Sequence, residues 1–319
     1  MHKVANYIQI KSKLLLFLLC PVIILCFGCK SKSVLEIEEG RLQINGIEIY
    51  YKSIGEGYPT FILHGGPGLG HDHMLQLTNL SDRYKLIFYD QRAAGRSTGY
   101  ADTASHTIEN FIEDLEQLRL SLVSGKINII GASWGAMLAM QYAMEYTDNI
   151  NALVLLGSMG GSSSGWVEEF SANIKKNQTT ADSLTMAQIE SSDEYKNRVP
   201  EVMVRYTKTF FRSYFYNQNL ADSIEIWIPD SAQMKIEGRY ANLSRYFNDY
   251  NIHDDLKRIK CPTLIVHGDA DVIPVYVAER LNKSIEKSKL IILPNVGHFL
   301  WIEAPDEIYR VIDEFFQSI

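Results

Sequence analysis

The sequence is poor in cysteine and has no excess of basic residues. Of its 319 residues only 4 are cysteine, and Cys20, Cys26 and Cys29 all lie close to the N-terminus. The rest of the chain has Cys261 alone and cannot form an internal disulfide, so its stability must come from a buried core. Lys and Arg number 31 against 38 Asp and Glu, with no cluster of basic residues along the chain. This balance argues against a nucleic-acid partner.

Motifs for metals and cofactors are missing as well. Residues 65–70 are rich in glycine, but no Lys-Ser or Lys-Thr pair follows them, which excludes a phosphate-binding loop. His71 and His73 flank Asp72, but further ligands at the spacing of a zinc site are absent from the sequence. We therefore expect neither a metal nor a cofactor.

The N-terminal segment has the pattern of an export signal. Three lysines within the first 13 residues precede the nearly unbroken apolar run Leu14–Gly28, which is shorter than the roughly 20 residues of a membrane span. The run ends in Phe27-Gly28-Cys29, which resembles the lipobox of bacterial lipoproteins. The resemblance implies a signal peptide over 1–28, a lipid-modified Cys29 and a short tether over 29–34.

Lipid modification would leave the mature chain exported and anchored to a bacterial membrane, on its periplasmic or surface side. Cys26 departs from the lipobox pattern, because leucine is preferred three residues before the modified cysteine. An uncleaved signal anchor and an ordinary secretory signal are therefore the alternatives.

Short apolar runs alternate with amphipathic segments along most of the chain. Residues 42–53 alternate around Asn45-Gly46, which predicts a two-stranded hairpin. Residues 108–122 carry apolar side chains at helical spacing, and 136–146 form a second helical pattern. Six further runs are typical of buried parallel strands: Thr60–Leu63, Lys85–Tyr89, Ile127–Ile130, Ala152–Leu156, Thr263–Gly268 and Lys289–Ile292. The pattern predicts an α/β fold with a mostly parallel, eight-stranded sheet and helices on both faces.

The alternation stops in the middle of the chain. Between about residues 160 and 250 the sequence becomes polar and aromatic, with helical stretches, and the strand pattern then resumes. We expect a helical cap inserted into the sheet, with one part of the core over 35–157, the cap over 158–252 and the second part of the core over 253–319.

The motif Gly131-Ala-Ser133-Trp-Gly135 stands between a predicted strand and a predicted helix. In that context G-x-S-x-G forms a sharp turn, and the turn exposes the central serine above the sheet at a helix N-terminus. The flanking glycines leave room for the strand and the helix to approach closely. We predict that Ser133 is a nucleophile.

A nucleophilic serine needs a base that takes its proton during attack. His298 lies just past the last predicted strand, at the carboxyl edge of the sheet, where ligands bind in open α/β folds. The imidazole needs a carboxylate at its other nitrogen, and the turn after Thr263–Gly268 offers both Asp269 and Asp271. Either aspartate gives the chain order Ser, Asp, His.

An acyl-transfer site also needs N–H donors for the oxyanion that forms on the substrate. The glycine-rich turn His64–Gly68 follows a predicted strand and places backbone close to the same edge of the sheet. We expect the amides of Gly66 and of Trp134, the residue after the nucleophile, to form the oxyanion hole.

Together these motifs resemble the proline iminopeptidase branch of the α/β hydrolases. The resemblance rests on His64-Gly-Gly-Pro-Gly68, on Asp90-Gln-Arg-Ala-Ala-Gly-Arg-Ser97, on the serine motif, and on Gly297-His298 followed by Trp301-Ile-Glu-Ala-Pro305. It implies the α/β-hydrolase fold with a helical cap, and Asp271 rather than Asp269 as the acid. It also implies cleavage of short peptides after an N-terminal residue, often proline.

The loop after Asp90 and the cap depart from the family pattern. Ala93 stands where a glycine is usual, which is a minor change if the backbone φ there is negative. The cap also lacks the Trp-Glu signature with which many members bind the free amine of the substrate. The candidates to replace it are cap glutamates: Glu168, Glu169, Glu194 and Glu201.

The residues leave three functions open. The first is an exported aminopeptidase of the proline iminopeptidase type, which acts on a short peptide or another small molecule. The second is a carboxylesterase or related acyl hydrolase with the same triad, because an aromatic cap without a committed acidic residue fits an uncharged substrate equally well. The third, a non-catalytic surface lipoprotein, is disfavoured because the triad and both oxyanion elements are present.

Overall fold

An eight-stranded sheet runs through the part of the chain that the computed structural model describes, residues 36–234 and 241–319. The strands are β1 (Ile37–Ile44), β2 (Ile47–Ile54), β3 (Tyr58–Leu63), β4 (Tyr84–Tyr89), β5 (Ile127–Ala132), β6 (Ile150–Leu156), β7 (Thr263–Gly268) and β8 (Ser288–Leu293). Their order across the sheet is β1-β2-β4-β3-β5-β6-β7-β8. The β1–β2 and β2–β4 pairs are antiparallel, and the other neighbours are parallel.

Each predicted strand is confirmed, with small changes at the ends. The hairpin turn between β1 and β2 is built by Asn45 at φ 47° and Gly46 at φ 80°. A two-residue hairpin turn of this kind requires positive φ at both central positions, which is why Asn-Gly predicts it well. The predicted signal segment, the tether and Cys29 lie outside the described residues.

Helices cover both faces of the sheet. The helices that follow or precede strands of the sheet are α1 (Ile108–Leu122), α2 (Trp134–Glu145), α9 (Val275–Ser284), α10 (Leu300–Glu303) and α11 (Pro305–Gln317). Successive residues of β5 face opposite sides, so Ile129 packs in the hydrophobic core with α1 and α2, and Ile130 packs in the core with α10 and α11. Burial on both faces explains why the central strands are continuous apolar runs.

The described residues between β6 and β7 form six helices. They are α3 (Val167–Asn177), α4 (Thr180–Ser191), α5 (Asp193–Lys196), α6 (Pro200–Phe211), α7 (Ser231–Met234) and α8 (Ala241–Asn248). The two ends of this segment are hydrogen-bonded to each other, because Ile252 N–H donates to Gly161 O at 2.7 Å and Ser163 N–H donates to Tyr250 O at 2.9 Å. The helical content agrees with the expectation for 158–252, while the division into separate domains stays a prediction.

Short 3₁₀ segments complete the fold. They span His71–Asp82, Thr103–Ser105, Thr147–Asn149, Arg212–Tyr214, Gln218–Ser223 and Leu256–Arg258. Across the described ranges, none of the helices has the length and apolar character needed to cross a bilayer.

Candidate active site

Ser133 occupies a strained turn between β5 and α2. Its backbone has φ 52° and ψ −117°, a region that residues with a Cβ rarely adopt. The two glycines of the motif are required by space: a Cβ on Gly131 would lie 2.6 Å from Gly135 O, and a Cβ on Gly135 would lie 2.2 Å from Leu63 O. Helix α2 therefore starts directly against β3 and β5, with Ser133 at its N-terminus.

His298 and Asp271 form a buried hydrogen-bonded pair at the same edge of the sheet. His298 Nδ1–H donates to Asp271 Oδ1 at 2.9 Å and to Oδ2 at 3.0 Å. Asp269, the other aspartate of the turn, is exposed and accepts the N–H of Asn295 at 2.7 Å. The contacts thus place Asp271, and not Asp269, against the histidine.

Asp271 is held by more than the histidine. The N–H of Ile273 donates to Asp271 Oδ1 at 2.9 Å, and His267 Nε2 lies 3.8 Å from Asp271 Oδ2. His267 itself donates to Ile273 O at 2.8 Å, so its ring is fixed beside the carboxylate. The sequence analysis did not single out His267, although it ends the apolar run of β7 two residues before Asp269.

The loop that carries His298 is bonded to the segment between β6 and β7. His298 N–H donates to Tyr214 O at 2.8 Å, and the two rings are 5.5 Å apart. Glu303 Oε1 accepts the N–H of Gly297 at 2.9 Å, and Glu303 Oε2 accepts the N–H of Asn217 at 3.0 Å. One carboxyl group therefore joins the histidine loop to residues 214–217.

Burial changes the acidity of two groups here. It raises the pKa of Glu303 to about 7, against the opposing effect of the backbone N–H groups that it accepts. It also raises the pKa of the Tyr214 hydroxyl, with a smaller contribution from the negative charge of Asp271. Tyr214 is therefore a neutral phenol at ordinary pH.

Gly66 and Trp134, whose amides are the predicted oxyanion donors, line the same cavity as Ser133. Trp134 is the first residue of α2, so its N–H has no acceptor within the helix. Gly66 has φ 56°, and its N–H donates no backbone hydrogen bond to any residue that the structure describes. Both amides are thus available to an oxygen atom bound above Ser133.

The cavity beside Ser133 has a volume of about 250 Å³, and its wall is largely aromatic. This volume is just below the roughly 300–1,000 Å³ of most ligand pockets, which suits a small ligand group. The residues that line it are Gly65, Gly66, Pro67, Leu69, His73, Ser133, Trp134, Met159, Trp166, Phe170, Phe211, Tyr214, Phe247, Ile273, His298, Phe299 and Trp301. None of these described lining residues is Asp, Glu, Lys or Arg.

The structure does not bring the four candidate glutamates to this cavity. Glu168, Glu169, Glu194 and Glu201 are all exposed, and none lies on the cavity wall. Glu169 instead accepts a hydrogen bond from the Tyr276 hydroxyl at 3.2 Å. None of the four candidates therefore faces the cavity in the described arrangement, because the first turns of α3, α5 and α6 point their acids to solvent.

The sequence analysis missed most of the cavity wall. His73 was considered only as part of a metal motif, and the insertion was noted as aromatic without an assignment of which rings face the site. Those rings are Trp166, Phe170, Phe211, Tyr214 and Phe247. Their clustering in an aromatic segment was the available signal, but other aromatic residues of the same segment, such as Tyr195 and Tyr206, pack on each other instead, with ring centroids 4.9 Å apart.

The carboxylates near His71 are already hydrogen-bonded to side chains. His71 Nδ1–H donates to Asp90 Oδ1 at 2.8 Å, and Arg96 makes two bonds of 2.8 Å to Asp72. These contacts brace the loop after β4.

Ala93 in this loop has φ 53°, a positive value that glycine adopts without strain. Alanine at this angle costs roughly 1–2 kcal/mol, so its presence in place of the usual glycine is not a minor change.

Comparison with known proteins agrees with this geometry. Residues 58–305 match the family model of the alpha/beta hydrolase fold. The chain belongs to the α/β-hydrolase family. It is a hydrolase, and the predicted fold class is confirmed.

Within the family the chain resembles proline iminopeptidases. It is 30% identical over 301 residues to the proline iminopeptidase of Saccharolobus solfataricus, a match that covers 89% of this chain and 94% of that protein. Two solved α/β-hydrolase folds each cover 88% of this chain. The proline iminopeptidase of Mycobacterium smegmatis has a TM-score of 0.67 at 20% identity and is covered to 98%, and the esterase EaEST of Exiguobacterium antarcticum has a TM-score of 0.65 at 20% identity and is covered to 100%.

Proposed function

We propose that this α/β hydrolase is a serine aminopeptidase that releases an N-terminal, proline-type residue from short peptides through an acyl-enzyme. The observation that supports it most directly is the buried His298–Asp271 pair, whose histidine lines the same small cavity as Ser133. The similarity to a proline iminopeptidase over 89% of this chain supports the substrate class.

In the proposed mechanism Ser133 Oγ attacks the carbonyl carbon of the first residue while His298 Nε2 takes its proton. The N–H groups of Gly66 and Trp134 stabilise the oxyanion, and Asp271 holds the imidazole in the right tautomer. His298 then gives the proton to the leaving amine, and a water molecule, deprotonated by His298, releases the first residue from Ser133.

We further propose that residues 158–252 act as a cap over this site. Six of the described residues that line the cavity come from this segment: Met159, Trp166, Phe170, Phe211, Tyr214 and Phe247. A wall of this kind excludes water from the acyl-enzyme, which strengthens the electrostatic contacts inside the cavity.

A carboxylesterase activity is the second candidate. The specific observation in its favour is that the described residues on the cavity wall include no carboxylate for a substrate ammonium group. The apolar acyl group of an ester would fit this cavity, because it has no charge that needs a carboxylate partner.

Steady-state hydrolysis of proline p-nitroanilide, alanine p-nitroanilide and p-nitrophenyl butyrate separates the two candidates, with Ser133→Ala as the control. We expect kcat/KM for the proline anilide to exceed that for the alanine anilide, and no enzymatic turnover by the variant. Cleavage of the ester alone would contradict the aminopeptidase proposal and support the esterase.

We also propose that Cys29 carries a lipid that anchors the protein to a bacterial membrane. The support is the basic and apolar N-terminal sequence that ends at Cys29. Cys29→Ala should move the protein from the membrane fraction to the soluble fraction, while the control Cys26→Ala should stay with the membrane. Retention of Cys29→Ala at the membrane would favour an uncleaved signal anchor.

A further inference from the structure

The turn that carries Asp271 is closed by a buried histidine near the end of β7. His267 is fully buried, and its Nε2–H donates to Ile273 O at 2.8 Å. Its Nδ1 has no hydrogen-bond partner among the described residues, so the bond to Ile273 is the one hydrogen bond that the ring makes with them. In the proposed mechanism this ring has no role.

Ile273 connects this histidine to the catalytic acid. The N–H of Ile273 donates to Asp271 Oδ1 at 2.9 Å, while the carbonyl oxygen of the same residue accepts from His267. A shift of Ile273 therefore moves a hydrogen-bond donor of the carboxylate. Ile273 is also buried and lines the cavity beside Ser133.

His267 also lies beside the carboxylate itself. Its Nε2 is 3.8 Å from Asp271 Oδ2, the oxygen that lies 3.0 Å from His298 Nδ1. A separation of 3.8 Å is too long for a hydrogen bond, so His267 reaches the acid through Ile273. Two imidazoles thus flank one carboxylate, and only that of His298 is bonded to it directly.

Different kinds of contact hold the two halves of the turn. Before Asp271, backbone N–H groups donate to carbonyls at the end of β8 and in the histidine loop, at 2.9 and 3.0 Å. After Asp271, side chains bind the carbonyls: Asn173 from the insertion donates to Val272 O at 3.1 Å, and His267 donates to Ile273 O. His267 is thus the contact from β7 that fixes the second half of the turn.

We propose that His267 is a positioning residue of the catalytic triad. Its bond to Ile273 fixes the second half of the turn and so sets the Asp271 carboxylate against the catalytic histidine. His267 does not line the cavity, so it acts through the acid and not on the substrate. The inference rests on the triad of the proposed mechanism and not on the proposed peptide specificity.

Three substitutions at His267 separate the hydrogen bond from the bulk of the ring. The amide nitrogen of glutamine lies as many bonds from the backbone as histidine Nε2, so His267→Gln keeps a donor for Ile273 O, whereas asparagine is one bond shorter and leucine has no donor. In His267→Leu and His267→Asn we expect kcat for p-nitrophenyl butyrate to fall about 10- to 100-fold, with KM within about twofold of normal, because a small misplacement of catalytic groups slows the chemical step. His267→Gln should stay within about threefold of the wild type.

His106→Leu is the matched control. His106 is also fully buried, and its Nε2–H donates to a backbone carbonyl, Gly99 O, at 2.9 Å, but it does not line the cavity. We expect chemical denaturation to show a lower free energy of unfolding in both leucine variants, and kcat to fall only in His267→Leu. Normal kcat in a folded His267→Leu, or the same loss in His267→Gln as in His267→Asn, would overturn the proposal.

A double-mutant cycle tests whether His267 acts through Asp271. The rate of fluorophosphonate labelling is measured for the wild type, His267→Leu, Asp271→Asn and the double variant, with circular dichroism to check that each is folded. We expect His267→Leu to slow labelling about 10- to 100-fold in the wild type and less than about twofold when Asp271 is already replaced. Equal slowing in both backgrounds would mean that the ring acts by packing alone and would overturn its positioning role. If His267→Leu does not fold, His267→Asn takes its place in the cycle.

Failure of the proposed aminopeptidase function has a different signature. It would leave these results unchanged, because the ester and the probe report on the triad and not on the peptide specificity. A severe loss in Asp271→Asn with normal turnover in His267→Leu would overturn the role of His267 alone. Little loss in Asp271→Asn would overturn both the triad assignment and the role of His267.

Discussion

At the scale of single residues, the two aspartates of the turn after β7 differ in their surroundings. Asp271 is 7% exposed and is bonded to His298, whereas Asp269 is exposed and only caps the N–H of Asn295. Both lie within four residues of the same strand end, so the sequence alone offered two acids. The contacts assign the role of orienting the imidazole to Asp271.

Asp271→Asn should lower kcat by about 10⁴ with little change in KM, because an amide favours the wrong tautomer of the histidine. Asp269→Asn is the matched control and should stay within a few-fold of the wild type, since it alters only an exposed hydrogen bond. Both values come from steady-state hydrolysis of p-nitrophenyl butyrate. An Asp271→Asn variant with a tenth or more of the normal kcat, or an equal loss in Asp269→Asn, would contradict the assignment.

Two residues with positive φ show what residue patterns can and cannot give. The φ of 52° at Ser133 was foreseeable, because a G-x-S-x-G motif between a strand and a helix leaves no other way to turn. The φ of 53° at Ala93 was not, because the usual glycine is absent and the angle is imposed by the loop that Asp90 and Arg96 hold in place. Local sequence predicts strain only where the motif itself requires it.

At the scale of elements, Glu303 on α10 joins two segments that are far apart in sequence. It accepts N–H groups from the histidine loop at Gly297 and from the insertion at Asn217. A Cβ on Gly297 would lie 2.4 Å from Tyr214 O, so the two segments are in direct backbone contact. Movement of one segment therefore shifts His298.

Glu303→Ala should lower the free energy of unfolding by about 1–3 kcal/mol, because the buried N–H of Gly297 loses its acceptor. We also expect a lower kcat for both esters and anilides, since His298 loses part of its support. Glu307→Gln, an exposed change on the neighbouring helix α11, is the control for chemical denaturation and kinetics. Normal kcat in Glu303→Ala would mean that the carboxyl group has no part in positioning the histidine.

Glu303→Gln gives a pH test of the same contact. The pKa of Glu303 is raised from its ordinary value of 4.5 to about 7. The wild type therefore loses folding stability relative to the unfolded chain as the pH rises from about 4.5 to about 7, because the unfolded state gives up the proton first. Glutamine cannot ionise, so Glu303→Gln lacks this loss. The unfolding free energy of the variant, relative to that of the wild type, should therefore increase as the pH rises across this window. A difference that is constant with pH would contradict the raised pKa.

The regular elements could be predicted because their physical cause is local. The apolar runs of β5, β6 and β7 are buried on both faces, and the hairpin turn needs Asn45-Gly46 for its backbone angles. The cavity wall could not be predicted in the same way. Phe211 and Tyr214 line the cavity beside Ser133, whereas Tyr195 and Tyr206 of the same aromatic segment pack on each other, and only the packing of the insertion decides between them.

At the scale of the whole molecule, the strand order explains how distant parts of the sequence form one site. The chain leaves β3 at the Gly66 turn, β5 at Ser133, β7 at Asp271 and β8 near His298, and these four strands are parallel across the middle and one side of the sheet. Parallel strands end at the same edge, so residues separated by up to 232 positions meet there. The chain order Ser, Asp, His follows from this topology.

The most direct measurement is identification of the residue that a fluorophosphonate modifies, by mass spectrometry of the wild type, Ser133→Ala and His298→Ala. We expect one equivalent of probe on the peptide that contains Ser133, with parallel loss of ester hydrolysis, much slower labelling in His298→Ala and none in Ser133→Ala. Labelling at another residue, or normal hydrolysis by Ser133→Ala, would contradict the assignment of Ser133 as the nucleophile.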